Sequence, residues 1–288
     1  MGECGLTPRE PEEAEMSDDA ENTQDLETYT ERPVAARYLQ VAGGNGVVRI
    51  TLNRPPANVL SIDLMAELNA TLESLDNQRD VKFVVLAAAG KYFSAGFELG
   101  DHLGDRAYLM MEAFKKIFEN LTKLDRPIVA VVAGPALGAG SILAAACDMV
   151  LAGASAKFGH PEIKGGVFNP MAAALLPRLV GRKRALEMIL GGVTITAAEA
   201  ERIGLISRAV PDEKLEAEAA ALVQRYQEGS APILQLTRRA IATGLDQPLA
   251  DAIRNAEDIY LNQLMSTEDA EEGLKAIMEK RKPAWKDR

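Results

Sequence analysis

The sequence predicts an α/β fold, in which a strand-and-helix core of about 200 residues precedes a C-terminal helical region. Two observations predict it. Short apolar, β-branched runs alternate with amphipathic helical patterns as far as Met171, which is typical of β-α-β units. After Met171 the pattern is almost wholly helical and is punctuated by Pro232, Pro248 and Pro283.

Each element is predicted from its local pattern. The first two strands, 38–41 and Val47–Leu52, surround the glycine-rich turn 43–46. Ser61 is a candidate N-cap for a helix that ends at Leu75. The remaining core elements are a strand at 83–86, a helix at about 106–121, a strand at 128–132, a helix at 138–145 and a strand at 149–152. The later helices are predicted at 171–179, 182–190, 197–203, 212–228, 231–244, 247–266 and 268–280.

The negative charge is concentrated at the N-terminus. The formal net charge is -10, and residues 1–32 carry 11 acidic and 2 basic side chains, whereas the rest of the chain is nearly neutral. Residues 1–33 lack apolar periodicity and are predicted to be a disordered acidic tail. We interpret this tail as a solubilising extension, with regulation or partner binding as the alternative. The near-neutral remainder argues against nucleic-acid binding.

The apolar run at 128–147 contains no charged residue over a membrane-spanning length. Glycine and proline at four positions divide it, which favours a buried strand, turn and helix over a membrane span. One cysteine, Cys4, lies in the tail and the other, Cys147, lies in this run, so a disulfide between them is not expected. We therefore predict a cytoplasmic protein without a membrane partner.

Two glycine-containing loops, FSAGFELG (93–100) and GPALGAGS (134–141), follow predicted buried strands and lead toward helices. This arrangement can direct backbone N–H groups from two helix N-termini into one cleft, where they bind an anionic oxygen. Neither loop matches a dinucleotide fingerprint or a phosphate-binding loop. A single loop of this kind is typically a plain turn, and the pair is more informative than either loop alone.

Five motifs in order resemble the crotonase superfamily, also called the enoyl-CoA hydratase/isomerase superfamily, across about residues 35–288. The motifs are LNRPPANVLS (52–61), FSAGFEL (93–99), AGPALGAGS (133–141), KFGHPEIKGGVF (157–168) and GRKRALEMILGGVTITAAEAERIGLISRAV (181–210). The resemblance implies a spiral of β-β-α units at 34–210 that binds an acyl-CoA thioester. It implies that residues 211–288 form a helical region that serves oligomerisation and covers the acyl pocket. The fold alone does not define the reaction.

The resemblance also implies the catalytic groups. The oxyanion hole for the thioester enolate maps to the backbone N–H groups of Phe97 and Ala139, although the family usually has glycine at the second position. Hydratases of the family hold water with two glutamates. One matches Glu162, which we predict to be the general acid/base with a raised pKa. The other position is Ile142, so one carboxylate is missing.

Four nearby polar residues are candidates to replace the missing carboxylate. Asp101 and His102 follow the first loop, in the part that borders the acyl pocket in the family, and we predict both to be catalytic. His160 precedes Glu162 by two residues and is a candidate to orient it, and Asn169 is a candidate substrate contact. For each residue taken alone, a structural role is the alternative.

The remaining predicted contacts are with the substrate and its CoA group. By resemblance, these residues are Ala57, Ser94, Ala95, Gly96, Ile142, Lys282, Trp285 and Lys286. Ile142 is expected to pack against a ring of the substrate. The last three residues lie in the C-terminal segment and are expected to approach CoA, either in the same subunit or across a subunit boundary. A frayed basic tail is the alternative.

Short segments further resemble the cyclohexa-1,5-diene-1-carbonyl-CoA hydratases, which predicts hydration of a cyclic dienoyl-CoA. A linear enoyl-CoA hydratase, an isomerase or hydrolase using the same enolate, and a non-catalytic acyl-CoA- or RNA-binding homologue stay open. We predict no metal and no cofactor other than the CoA of the substrate. By resemblance, the protein is expected to be a homotrimer or homohexamer.

Overall fold

The structure, a computed structural model, describes residues 30–31, 37–75, 78 and 80–288. Within these residues, ten strands form two sheets. The strands are β1 (Thr30–Glu31), β2 (Leu39–Gly44), β3 (Val47–Leu52), β4 (Phe83–Ala88), β5 (Ile128–Val132), β6 (Ala136–Leu137), β7 (Met149–Gly153), β8 (Lys157–Gly159), β9 (Thr194–Thr196) and β10 (Arg208–Val210).

Nine α-helices are found in the same part of the chain, joined in places by short 3-10 turns. They are α1 (Ile62–Leu75), α2 (Arg106–Lys123), α3 (Ala139–Ala145), α4 (Pro170–Gly191), α5 (Ala197–Arg202), α6 (Leu215–Gln227), α7 (Ala231–Gly244), α8 (Leu249–Asp258) and α9 (Glu268–Glu279). Ser61 caps α1 as predicted, because its Oγ accepts a hydrogen bond from Leu64 N at 3.3 Å.

The larger sheet has the strand order β1-β2-β3-β4-β5-β7-β10. Its first three strands are antiparallel, and β3, β4, β5, β7 and β10 are parallel. Each parallel connection requires the chain to cross over the sheet. The carboxyl ends of β4 and β5 therefore lie side by side, and the two glycine loops begin there.

The smaller sheet has the strand order β6-β8-β9. The chain passes from β5 to β6 and then to α3, and from β7 to β8 and then to α4. Each turn of this spiral places one strand in the large sheet and one short strand in the small sheet before a helix begins. The described residues thus form the predicted α/β spiral with a C-terminal helical region.

The core lies on both faces of the large sheet, because side chains alternate along each strand. In β4, Val84 and Leu86 face a cluster that α1, α2 and α3 complete. Phe83 and Val85 face a second cluster that α6 covers with residues such as Leu215. Helix α6 therefore packs directly on the sheet, although it was predicted to belong to the region after the core.

Four details of the secondary structure differ from the predictions. The region after Met171 is not wholly helical, because β9 pairs with β8 and β10 joins the large sheet beside β7. The predicted helix 247–266 becomes α8, a π-turn at Ile259–Gln263 and a 3-10 turn at Leu264–Ser266. The predicted helices 171–179 and 182–190 are joined as α4 across the non-helical Gly181. Strands β6 and β8 were not predicted.

The N-terminal prediction falls mostly outside the described residues. Within the predicted tail 1–33, only Thr30–Glu31 is described. This pair forms β1, because its backbone pairs with Ala42 and Gly43 at the edge of the large sheet. The predicted disorder of residues 1–29 and 32–33 lies outside the described part. The apolar run 128–147 is divided among β5, β6 and α3, and none of the described helices has the length and apolar character to cross a membrane.

Candidate active site

The two glycine loops lie against each other at the carboxyl ends of β4 and β5. Ser94 and Ala136 form a parallel bridge, and Leu137 N donates a hydrogen bond to Ser94 O at 2.8 Å. Phe93 N donates to Pro135 O at 3.0 Å. These hydrogen bonds join the loops predicted from the sequence into one rigid unit.

Glycine is required where the loops touch. A methyl group at Gly140 would lie 2.5 Å from Ser94 Cβ, so a larger residue there would separate the loops. Gly96 has a φ of +103°, and a methyl group there would lie 3.7 Å from Ala139 N. The backbone just before Phe97 is therefore close to the backbone N–H of Ala139.

The two predicted oxyanion donors have free N–H groups. Among the described residues, neither Phe97 N nor Ala139 N donates a hydrogen bond, whereas the neighbouring Gly96 N donates to Ser94 Oγ at 3.2 Å. Ala139 is the first residue of α3, where an unpaired N–H is expected. The Phe97 side chain packs edge-on against Phe114 and is 8% exposed, so its contribution is made by the backbone.

Glu162 is brought to this unit by the small sheet. It follows β8 in the 3-10 helix Pro161–Gly165, and Gly138 N donates to Gly159 O at 2.8 Å. A methyl group at Gly138 would lie 2.6 Å from Glu162 Oε1. The carboxylate therefore lies against the residue that precedes the Ala139 N–H.

The environment of Glu162 suits proton transfer. Its side chain is 14% exposed, and neither carboxylate oxygen has a hydrogen-bond partner among the described residues. Burial is the largest effect and raises the pKa of Glu162, while weaker contacts with its own backbone and with the Asn169 side chain oppose this shift. A carboxyl group with a raised pKa accepts and returns a proton more readily near neutral pH.

His160 is a neutral neighbour of Glu162. It is 2% exposed, and its Nδ1 lies 4.0 Å from Glu162 Oε2. Burial lowers the pKa of His160 to about 4. At neutral pH it therefore brings no positive charge to the carboxylate. The structure thus places His160 near Glu162, and its predicted role in orienting Glu162 stays a prediction, as does the predicted contact of Asn169 with substrate.

Ile142 lies within the main core and is 0% exposed. Its hydrocarbon side chain places no polar atom beside Glu162.

Ala57 is half-buried and holds the first loop, since its carbonyl accepts a hydrogen bond from Ala95 N at 2.9 Å. Asn58 was not predicted to matter. Its Nδ2 donates to the carbonyls of Ala89 and Tyr92, both at 2.8 Å, and its φ is +49°, a conformation that asparagine tolerates better than most residues.

The predicted catalytic role of Asp101 needs correction. Asp101 is 2% exposed, and both of its carboxylate oxygens are occupied. Oδ2 accepts a hydrogen bond from Ile62 N at 3.0 Å, and Oδ1 accepts one from Arg106 Nε at 2.9 Å. Asp101 therefore ties the starts of α1 and α2 together and has no free oxygen for a substrate proton.

We expect Asp101→Ala to lower stability and to spare the reaction. Loss of the cap on Ile62 N and of the contact with Arg106 should reduce the unfolding free energy by about 1–3 kcal/mol. Asp101→Asn keeps an acceptor for Ile62 N and should have a smaller effect. Chemical denaturation and steady-state kinetics of the folded fraction measure both. A kcat reduced about 100-fold without loss of fold would restore the catalytic assignment.

His102 lies on the first loop and packs edge-on against the Phe97 ring, with 5.6 Å between ring centroids. It is half-buried and has no ion pair with the described residues. Its position beside the oxyanion loop agrees with the sequence analysis. Its contact with substrate stays a prediction.

The C-terminal segment makes contacts within its own chain. Trp285 Nε1 donates to Glu228 O at 2.7 Å, and Lys286 Nζ lies 2.8 Å from Glu268. These partners use the groups that were predicted to contact CoA, so the structure assigns Trp285 and Lys286 to anchoring the segment. Lys282 is exposed and forms no ion pair with any described residue.

The chain is similar to known proteins over most of its length. The family described as enoyl-CoA hydratase/isomerase matches residues 42–288. A probable enoyl-CoA hydratase of Rhizobium meliloti is 38% identical over 242 residues, covering 83% of this chain and 94% of the relative. The cyclohexa-1,5-dienecarbonyl-CoA hydratase of Thauera aromatica is 34% identical over 245 residues, covering 84% and 93%. The crystal structure of an enoyl-CoA hydratase from Bacillus anthracis has a TM-score of 0.83 at 31% identity, covering 88% of this chain and 100% of that one.

These similarities confirm the predicted superfamily. The chain belongs to the enoyl-CoA hydratase/isomerase family.

Proposed function

We propose that the protein is an enoyl-CoA hydratase in which Glu162 is the acid/base and the N–H groups of Phe97 and Ala139 hold the enolate oxygen. One observation carries the proposal. A buried carboxylate that has no hydrogen-bond partner in the described part of the chain lies against Gly138, one residue before an N–H group that is equally unpaired there. A base next to an oxyanion site is what addition of water to an unsaturated thioester requires.

In this reaction Glu162 begins as the carboxylate and removes a proton from water. The water oxygen bonds to the unsaturated carbon, and the electron pair of the double bond moves toward the thioester oxygen. The two N–H groups stabilise the resulting negative charge. Glu162 then returns its proton to the carbon of the enolate. One carboxylate is sufficient, since the proton it accepts is the proton it donates.

The broader prediction, a hydro-lyase that acts on acyl-CoA thioesters, is confirmed by the family match and by the names of the relatives. The proposed reaction uses no cofactor other than the CoA of the substrate. The candidate contacts to the CoA group stay proposals at Ala57 and at Ser94 to Gly96.

We further propose a cyclic dienoyl-CoA as substrate. The similarity to the Thauera aromatica protein and the apolar residue at position 142 support this choice. In a cyclic diene, water can add at a carbon farther from the thioester than the carbon that reacts in a linear enoyl-CoA. The water therefore need not lie beside residue 142. The linear enoyl-CoA alternative is equally consistent with the similarity to the Rhizobium meliloti protein.

One assay tests both the hydratase reaction and the cyclic substrate. It measures turnover by the purified protein of linear enoyl-CoA, cyclic enoyl-CoA and cyclic dienoyl-CoA thioesters. We expect addition of one water to at least one substrate, detected by mass spectrometry, with the highest kcat/KM for the cyclic dienoyl-CoA. Activity on linear substrates alone would reject the cyclic assignment and keep the hydratase. Absence of hydration with all three classes of thioester would reject the hydratase.

Isomerisation is the second candidate function, because a single carboxylate such as Glu162 can move a proton between two carbons of an enolate. The buried Ile142, which adds no second acid, favours this alternative. The same assay separates the two reactions, since isomerisation leaves the substrate mass unchanged. Non-catalytic binding of acyl-CoA or RNA predicts no turnover, and RNA binding predicts a salt-dependent electrophoretic shift.

We propose a homotrimer or homohexamer in solution, which light scattering would test. Large apolar side chains exposed on the C-terminal helices and the turns beside them support an association surface. They include Leu245, Leu249, Leu261, Ile277 and Met278, each more than 60% exposed. The cytoplasmic location stays a prediction.

A further inference from the structure

Asn169 is held in one orientation by the helix that follows it. Its Oδ1 accepts hydrogen bonds from Met171 N at 3.0 Å and Ala172 N at 3.2 Å, which caps α4. A rotated amide would bring the NH₂ group against these two N–H donors. The capping contact therefore directs Nδ2 away from the helix.

The Nδ2 group of Asn169 has no hydrogen-bond partner among the described residues, although the residue is only 2% exposed. A weak hydrogen bond from the Asn169 side chain is among the causes that lower the pKa of Glu162, so the amide lies near that carboxylate, although the two groups do not meet the geometry of an ordinary hydrogen bond. Both carboxylate oxygens of Glu162 also lack a partner. Leaving a buried donor and buried acceptors unpaired is unfavourable, so together they favour binding a small polar molecule.

Water fits this pair chemically. Its oxygen accepts a hydrogen bond from Nδ2 while one of its O–H groups donates to Glu162. Ile142 is 0% exposed and offers no polar atom for the same task. His160 is the other polar side chain beside Glu162, but its nearest ring nitrogen is 4.0 Å from the carboxylate.

We propose that Nδ2 of Asn169 donates a hydrogen bond to the oxygen of the water that Glu162 activates, in place of the carboxylate missing at Ile142. This inference rests on the proposed hydratase function. In the addition step the water oxygen bonds to the substrate carbon, and its proton moves to Glu162. The amide of Asn169 keeps both of its protons and orients the oxygen toward the carbon.

Asn169→Ser tests this role, because serine keeps a capping oxygen for α4 and removes the amide donor. With the substrate that the wild-type protein hydrates, we expect kcat to fall about 100-fold and KM to change less than about threefold. The melting temperature should stay close to that of the wild-type protein. Asn169→Asp also keeps the cap and lacks the donor, so it should lose kcat at least as strongly.

Thr267→Ala is the matched control, because Thr267 caps α9 by accepting a hydrogen bond from Ala270 N at 3.1 Å. It should lower the melting temperature and keep kcat. Wild-type kcat in Asn169→Ser would overturn the inference and leave the hydratase assignment intact. An equal loss of kcat in Thr267→Ala would also overturn it. A wild-type protein that hydrates no enoyl-CoA would overturn the proposed function and this inference together.

Discussion

Glu162→Gln is expected to lower kcat by about 10²–10⁴-fold, because glutamine cannot accept and return the proton of the added water. KM should change little, since glutamine has nearly the same size and the CoA contacts are elsewhere. Steady-state kinetics with the preferred thioester measures both constants. The matched control is Glu213→Gln, an exposed glutamate in the 3-10 turn Asp212–Lys214, which should retain wild-type kcat. Near-wild-type turnover in Glu162→Gln would remove Glu162 from the mechanism.

The pH dependence of the wild-type reaction follows from the same residue. Burial raises the pKa of Glu162, and the reaction in either direction begins with the carboxylate form. The rate constant kcat/KM should therefore fall on the acid side, with a midpoint above the ordinary glutamate value of about 4.3. The pKa of His160 is lowered to about 4, so His160 stays neutral through this range. A midpoint at or below the ordinary value would contradict the assignment.

Stability should change in the opposite direction to activity. Because the pKa of Glu162 is raised in the folded protein, its contribution to stability is fully present below the unfolded-state pKa and is lost as the pH rises through the folded-state value. Glutamine does not ionise, so Glu162→Gln removes this loss of stability at higher pH. At pH 7 the variant should therefore melt above the wild-type protein. Below about pH 4 the two melting temperatures should converge.

Ala139→Pro is expected to lower kcat by about 10²–10³-fold, because proline removes one of the two oxyanion N–H donors. The backbone accommodates the change. Ala139 is the first residue of α3, a position that proline occupies readily. The residue before a proline must not be α-helical, and Gly138 meets this condition with φ 54° and ψ -124°, the mirror image of an extended conformation. Kinetics together with circular dichroism would separate loss of the donor from loss of fold.

One variant controls for Ala139→Pro. Ala139→Gly keeps the N–H and introduces the residue that is usual in the family, so kcat should stay within about threefold of the wild-type value. Wild-type kcat in folded Ala139→Pro would show that the second N–H is not used.

Long periodic elements were predictable because their signal is local. Strands β3 and β5 and helices α1 and α2 agree with the sequence analysis to within about two residues. The short strands β6 and β8 were missed because two or three residues carry no periodicity. They exist through pairing with distant residues, such as Phe158 with Ala136 and with Ile195.

Residue type alone could not separate two buried carboxylates. Asp101 and Glu162 both follow glycine-containing motifs, and both were predicted to be catalytic. In the folded chain, Asp101 has partners for both oxygens, and Glu162 has none among the described residues. The difference depends on Arg106, five residues after Asp101, and on Ile62, which is 39 residues before it and is brought to it only by the fold.

The sequence by itself determined the alternation of strands and helices, the two glycine loops and the resemblance that named Phe97, Ala139 and Glu162. These features depend on local periodicity and on the residue type at single positions. Only the tertiary structure decided which side chains are left without partners. Hydrogen bonding is a property of the folded chain as a whole, and it separated the free carboxylate of Glu162 from the occupied one of Asp101 and exposed the unpaired amide of Asn169.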